Sequence, residues 1–193
     1  MPTFDDAALT RLRAHLAARP AVEIEAPQYK RACVLIPLVR RNDGGWSILF
    51  QRRSDQLQAH SGQIAFPGGG VEPEESLSDA AVREAYEEVG IPPERVELIG
   101  RLDDVITNSG FLVAPFAGVI HQRVDYVLQE SEVVEVFEVP IERLLDVANP
   151  EVRYVPFRNR RYPVYYYHHE AYEIWGLTGR MLKAFLDLVW VAV

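Results

Sequence analysis

Residues 60–70 read HSGQIAFPGGG, four glycines within eleven positions, and run straight into VEPEESLSDAAVREAYEEVGI. A glycine-rich loop ahead of a helix ordinarily cradles phosphate on bare backbone N–H groups. The helix that follows here is dense in glutamate, which repels a phosphate. A loop shaped for an anion and a helix charged against it are compatible once a cation stands between them.

The wheel of that helix locates the charge. At roughly 100° per residue, Ala81, Val82, Ala85 and Val89 fall within about 60° of Ala85 and predict a buried stripe. Glu84, Glu87 and Glu88 share the flank beside it, and Arg83 stands one turn before Glu87. Like charges at this spacing cost a few tenths of a kcal/mol on an exposed helix and more when partly buried. Glutamate-rich helices are commonly just solvated faces. Glu84 and Glu88, however, border the core stripe, an expensive place for acid unless a divalent cation neutralises it. Oxygen-only donors suit Mg²⁺ or Mn²⁺ and not zinc.

Around this segment the chain reads as one domain, 1–193, with no internal repeat and no linker long enough to divide it. A helix is expected at about 6–18, ended by Pro20, and a buried strand at RACVLIPLVR. The turn NDGG leads to a returning strand, WSILFQRR. Ser76 and Asp79 resemble a capping box for a helix at about 77–89, with Gly90 as its stop. Strands follow near 96–106 and 111–120, then VVEVFEVPI, a short helix at IERLLD, and strands around Tyr162–His168 and Tyr172–Ile174. LTGRMLKAFLDLVWV reads as a closing amphipathic helix. Strands interrupted by a central and a terminal helix imply an α/β (α+β) fold, a mixed sheet with helices on both faces.

The excess of 28 acidic over 20 basic residues argues against a nucleic-acid binder held by a general positive field. It permits an anionic small-molecule substrate when a metal mediates. The single cysteine, Cys33, makes no internal disulfide; its apolar neighbours mark a buried thiol, and a cytoplasmic, reducing setting is expected. AFLDLVWVAV is too short to span a bilayer and carries Asp187, so no membrane partner is expected. TRLRAHLAARP is arginine-rich, but Asp5 and Asp6 favour an ordinary leading helix over a transit peptide. In YPVYYYHHEAY, alternating aromatics fit a half-buried strand better than an adenine-stacking surface. The adjacent His168 and His169 point to opposite faces and do not share an ion.

Gly69, Glu75 and Arg83-Glu84-Ala85-Tyr86-Glu87-Glu88-Val89-Gly90-Ile91 reproduce, at residues 69–91 and without a gap, the pattern G-x5-E-x7-R-E-U-x-E-E-x-G-U. The chain thereby resembles the Nudix hydrolase superfamily. Upstream, LFQRRSDQLQAHSGQIAFPGG (49–69) is similar to the signature of its coenzyme A pyrophosphatase branch at Arg53, Ser54, Leu57, His60, Gly62, Phe66, Pro67, Gly68 and Gly69. IWGLTGRML near the C-terminus is similar to that branch as well. Gln51 stands where the branch commonly has threonine, and Phe50 replaces a usual leucine.

The resemblance implies a Nudix-type α/β/α sandwich that hydrolyses the pyrophosphate of coenzyme A, with Mg²⁺ or Mn²⁺ as cofactor. The expected products are 4′-phosphopantetheine and 3′,5′-adenosine bisphosphate. It implies Glu84 and Glu88 as principal metal ligands, with Glu87 and the Gly69 carbonyl as supplements. Arg83 would orient the acidic cluster, and Glu75 would support it. Arg53, Ser54, His60, Gly62 and Phe66 become candidate substrate contacts. Arg53 is open to two roles, phosphate pairing or bracing the carboxylates, and Phe66 with Pro67 to a structural one. The general base is open between the box and a separate loop, where Glu130, Glu132 and Glu135 are candidates and Glu132 the leading one. Two other functions remain: an ADP-ribose or related nucleoside diphosphate pyrophosphatase, for which segment 49–69 is unneeded, and a non-catalytic Nudix-fold regulator, which commonly loses the glutamates kept here. An oligomer is possible.

Overall fold

The apolar run foreseen at 31–40 becomes the central strand of the sheet, buried on both faces, which is why its sequence is nearly continuous in hydrophobic residues. The computed structural model describes residues 3–55, 61–146, 150–157 and 160–193. In chain order the elements are α1 (Asp6–Ala18), β1 (Lys30–Arg40), β2 (Trp46–Arg53), β3 (Ile64–Ala65), β4 (Gly68–Gly70) and α2 (Leu77–Val89). A 3-10 turn at Pro93–Arg95 precedes β5 (Glu97–Arg101), β6 (Val105–Ile106), β7 (Phe111–Ile120), β8 (Val133–Pro140) and α3 (Ile141–Leu144). The chain then forms β9 (Glu151–Phe157), β10 (Arg160–His169), β11 (Tyr172–Ile174) and α4 (Gly176–Ala192).

The main sheet runs β3-β2-β1-β7-β5, with β4 also on β1, β6 on β7 and β8 on β2; β11-β10-β9 forms a smaller sheet. β1 and β7 are parallel from Lys30 opposite Phe111 to Val39 opposite Ile120. The other flank of β1 is forked. Its C-terminal half pairs with β2 and its N-terminal half with β4, Cys33 lying opposite Gly69.

Alternation along β1 builds the layers. Ala32, Ile36 and Leu38 face α1 and α4, packing with Leu9, Leu12, Leu182 and Phe185. Cys33 and Leu35 face α2 and meet Ala80, Ala81 and Ala85. The result is the expected α/β/α sandwich. Among the described residues, no helix is long and apolar enough to cross a membrane.

Several local expectations change. The strand foreseen at 96–106 is two, because the chain turns in at buried Asp104, whose carboxylate accepts from Ile24 N at 3.0 Å and Arg101 Nη2 at 2.6 Å. The glycine-rich loop contains β3 and β4, and β9 had no sequence signal strong enough to separate it from the preceding loop. In α2, Val82 is half-buried, while Ala80 and Glu88 join the buried set.

Candidate active site

Both ends of α2 form as their residue types require. Ser76 Oγ accepts from Asp79 N at 3.1 Å, and at the other end Gly90, left-handed at φ 76°, bonds Tyr86 O at 2.9 Å. Helix, β4 and the end of β2 then converge on Glu88, only 3 % exposed. Its Oε2 accepts from Gly68 N at 2.8 Å and from Gln51 Nε2 at 2.9 Å, while Arg53 Nη1 lies 3.8 Å from Oε1. These donors oppose the burial that pushes the Glu88 carboxyl up to about 7, and burial wins.

Glu84 sits one turn earlier, half-buried. Burial raises its pKa first; Arg83 lowers it, and Glu87 and Glu132 raise it again through their charges. Glu132 therefore belongs to this neighbourhood; its backbone oxygen accepts from Ser54 N at 2.7 Å. Glu135 is engaged elsewhere, accepting from Tyr172 and lying 3.5 Å from Arg52 Nε.

Arg83 organises the rim. It bonds Glu75 twice, at 2.9 and 3.1 Å, and reaches Glu84 at 3.0 Å, Glu87 at 2.8 Å and Gly70 O at 3.0 Å. The bidentate contact holds the Glu75 carboxyl below the usual carboxylate range. Glu87, 55 % exposed, is drawn outward by the same guanidinium. Among the described residues, no three carboxylate, imidazole or thiol groups gather where they could together hold a metal ion.

The glycines explain the close approach. A Cβ on Gly68 would lie 2.3 Å from Cys33 O, and one on Gly69 would lie 2.6 Å from the Glu84 carboxylate. Gly69 thus lays bare backbone against Glu84 in space that no side chain can share. The two carboxylates, with the Gly69 carbonyl as the third donor the resemblance implies, make an all-oxygen, open set. That fits a hard divalent cation, which fills its remaining positions with water and substrate phosphate instead of protein atoms. Beneath it, the buried Cys33 thiol is pushed up to about 12 by burial, as expected of an inert small hydrophobe.

The Gly69 geometry predicts that Gly69→Ala keeps the fold, because the clash is with the flexible end of Glu84, yet swings that carboxylate away. We expect kcat/KM to fall by about 100-fold, from a ligand-displacement effect of about 3 kcal/mol. Steady-state rates alongside circular dichroism check both halves.

Of the candidate substrate contacts, Arg53 stands beside Glu88, and Gly62 N bonds Arg53 O at 3.2 Å. Ser54 and Phe66 are each 2 % exposed, and Phe66 stacks on Phe50 at 5.0 Å. Both side chains are enclosed by the protein here. His60 and Leu57 lie outside the described residues. Gln51 was missed as a site residue. The signal was period-2 alternation, which puts it between Leu49 and Arg53 on the face turned to α2.

A NUDIX domain matches residues 29–158. The uncharacterized Nudix hydrolase NudL of Citrobacter koseri is 41 % identical over 166 residues, covering 86 % of this chain and 85 % of that one. NudL of an Enterobacter species is 39 % identical over the same shares. Among solved structures, a Mycobacterium smegmatis Nudix hydrolase, RenU, aligns with TM-score 0.52 at 23 % identity, covering 61 % of this chain and 74 % of that one. The Caenorhabditis elegans Ap4A hydrolase aligns with TM-score 0.50 at 21 % identity, covering 62 % and 85 %. These two likenesses concern the fold alone. With the domain matched over most of the chain and the acidic helix intact, the chain belongs to the Nudix hydrolase family.

Proposed function

We propose that the protein is a cytoplasmic, divalent-cation-dependent pyrophosphohydrolase acting on coenzyme A and its derivatives. The observation that carries this reading is that segment 49–69, similar to the coenzyme A branch signature, ends in the same turn that faces Glu84 and Glu88. Arg53 within that segment and Gly69 at its end both lie against the acidic site.

In this reading Glu84 and Glu88 would hold Mg²⁺ or Mn²⁺, with Glu87 and the Gly69 carbonyl as supplementary ligands. When bound, the ion neutralises charge developing on the phosphoryl oxygens and acidifies water. Arg83 fixes the Glu84 carboxylate, and Glu75 fixes Arg83. Glu132 accepts the proton of the attacking water as its oxygen bonds to one phosphorus; the P–O bond of the anhydride breaks, and the other phosphate leaves. The products are 4′-phosphopantetheine and 3′,5′-adenosine bisphosphate.

A cleft of about 1000 Å³ between the β6–β7 turn, the β9–β10 hairpin and the first turn of α4 has room for a long substrate arm. Its lining is largely apolar, including Ile106, Val164, Tyr165 and Leu177, with Thr107, Asn108, Ser109 and Arg180 as polar members and no acidic residue among the described ones. Thr178 Oγ1 bonds Ile64 O at 2.9 Å, tying that helix turn to the strand entering the Phe66–Gly69 turn. About three strand spacings, roughly 14 Å, separate β4 from β6 across the sheet.

Incubation with Mg²⁺ or Mn²⁺ and, separately, coenzyme A, ADP-ribose and NADH, with products resolved by chromatography, tests the assignment. We expect kcat/KM for coenzyme A to exceed the others at least tenfold. Preferential cleavage of ADP-ribose would replace this reading with the nucleoside diphosphate one.

A further inference from the structure

Gln51 lies in β2 at 0 % exposure, where a polar amide is costly unless bonded. A carboxylate accepts hydrogen bonds and donates none, so the amide nitrogen must face Glu88 and the amide oxygen must turn away. Nε2 does donate to Glu88 Oε2 at 2.9 Å, the oxygen already taken by Gly68 N at 2.8 Å. Two neutral donors from different elements therefore saturate one oxygen of Glu88. The other, Oε1, keeps the longer contact to Arg53 at 3.8 Å. Gln51 Oε1 is itself buried and has no hydrogen-bond partner among the described residues. An orphaned carbonyl oxygen beside a buried carboxylate is an acceptor awaiting a donor.

We propose that Gln51 is a positioning residue of the metal centre: by holding Oε2 of Glu88 together with Gly68 N, it fixes which oxygen of that carboxylate is presented to the cation. The proposal rests on the reading that Glu88 holds a divalent ion. Partners of this kind orient the ligand and tune its basicity, and their loss commonly costs 10- to 100-fold in metal affinity. Period 2 along β2 and the meeting of two donors on one oxygen are features of this chain's own packing, separate from the box residues.

The test is Mn²⁺ binding without substrate, followed by the electron paramagnetic resonance signal of free Mn²⁺. Gln51→Met preserves volume and removes both amide functions. We expect its Mn²⁺ affinity to fall 10- to 100-fold, while KM for coenzyme A at saturating Mn²⁺ stays within twofold of wild type. If that variant does not fold, Gln51→Leu, which also lacks both amide functions, gives the same readout, with a loss of tenfold or more expected. Glu88→Gln is titrated in parallel. Lost binding in Glu88→Gln with affinity within twofold of wild type in the Gln51 variant overturns the positioning role alone. Wild-type affinity in Glu88→Gln overturns the metal-site reading on which it rests.

Discussion

Replacing Glu84 and Glu88 together by glutamine lowers kcat/KM by about four to five orders of magnitude, the expected loss when roughly 6 kcal/mol of transition-state stabilisation supplied through a bound ion disappears. Shape is preserved and hydrogen bonding largely so. Gly68 N still finds an amide oxygen at position 88, and Arg83 still finds one at 84. The loss is therefore of charge and not of fold. Circular dichroism should be unchanged, and Mn²⁺ binding should vanish with activity. Full activity in this double variant would remove the acidic flank from the mechanism.

The second large effect concerns stability and runs the opposite way. Burial raises the Glu88 carboxyl from 4.5 to about 7. The folded protein thus holds a proton that the unfolded chain releases from about pH 4.5 upward. Wherever the native state binds more protons, stability falls as pH rises. The metal-free protein should lose stability between pH 4.5 and 7, lose nothing from this group below that window, and carry the full penalty above it. A shift of this size corresponds to about 3 kcal/mol. Glu88→Gln does not titrate, so in chelator-treated samples it should unfold at higher urea than wild type at pH 8 and at the same urea near pH 4. Added Mg²⁺ should close the gap at pH 8 by stabilising wild type alone. Equal midpoints at both pH values would rule out a buried, strained carboxylate. Such a group, costly to the fold and kept where the proposed metal would sit, is the usual trade between stability and function.

Much of this was legible in the residues themselves. α2 could be drawn to its ends because cap, stripe and stop are local signals, and β1 because a strand buried on both faces cannot alternate. The acidic flank followed from angular position alone. Glu88 was placed at the border of the stripe and lies within it, since α2 packs slightly rotated, with Ala80 buried in place of Val82. That rotation is set by β1 and β7 beneath, a tertiary effect with no local trace. β3 and β4 escaped notice because strands of two and three residues, one of them Gly-Gly-Gly, have no side-chain periodicity to display. Gln51 was visible as a departure, but its importance depends on Gly68 and Glu88, 17 and 37 residues away, meeting at one oxygen.

The fork in β1 has a consequence for how such an enzyme changes. Arg53 N bonds Gln63 O at 3.0 Å, and Gly62 N returns to Arg53 O at 3.2 Å, so the stretch between them leaves through a hydrogen-bonded neck. β2 before it and β4 after it are both fastened to the same strand. Whatever the sequence between them becomes, Arg53 and Gly69 return to the same places. Lengthening such a loop costs only about 0.6 kcal/mol per doubling. Under the proposed function, that stretch of sequence can be rewritten like a detachable tool head while the drive beneath it is untouched, so substrate preference can diversify without re-evolving the chemistry.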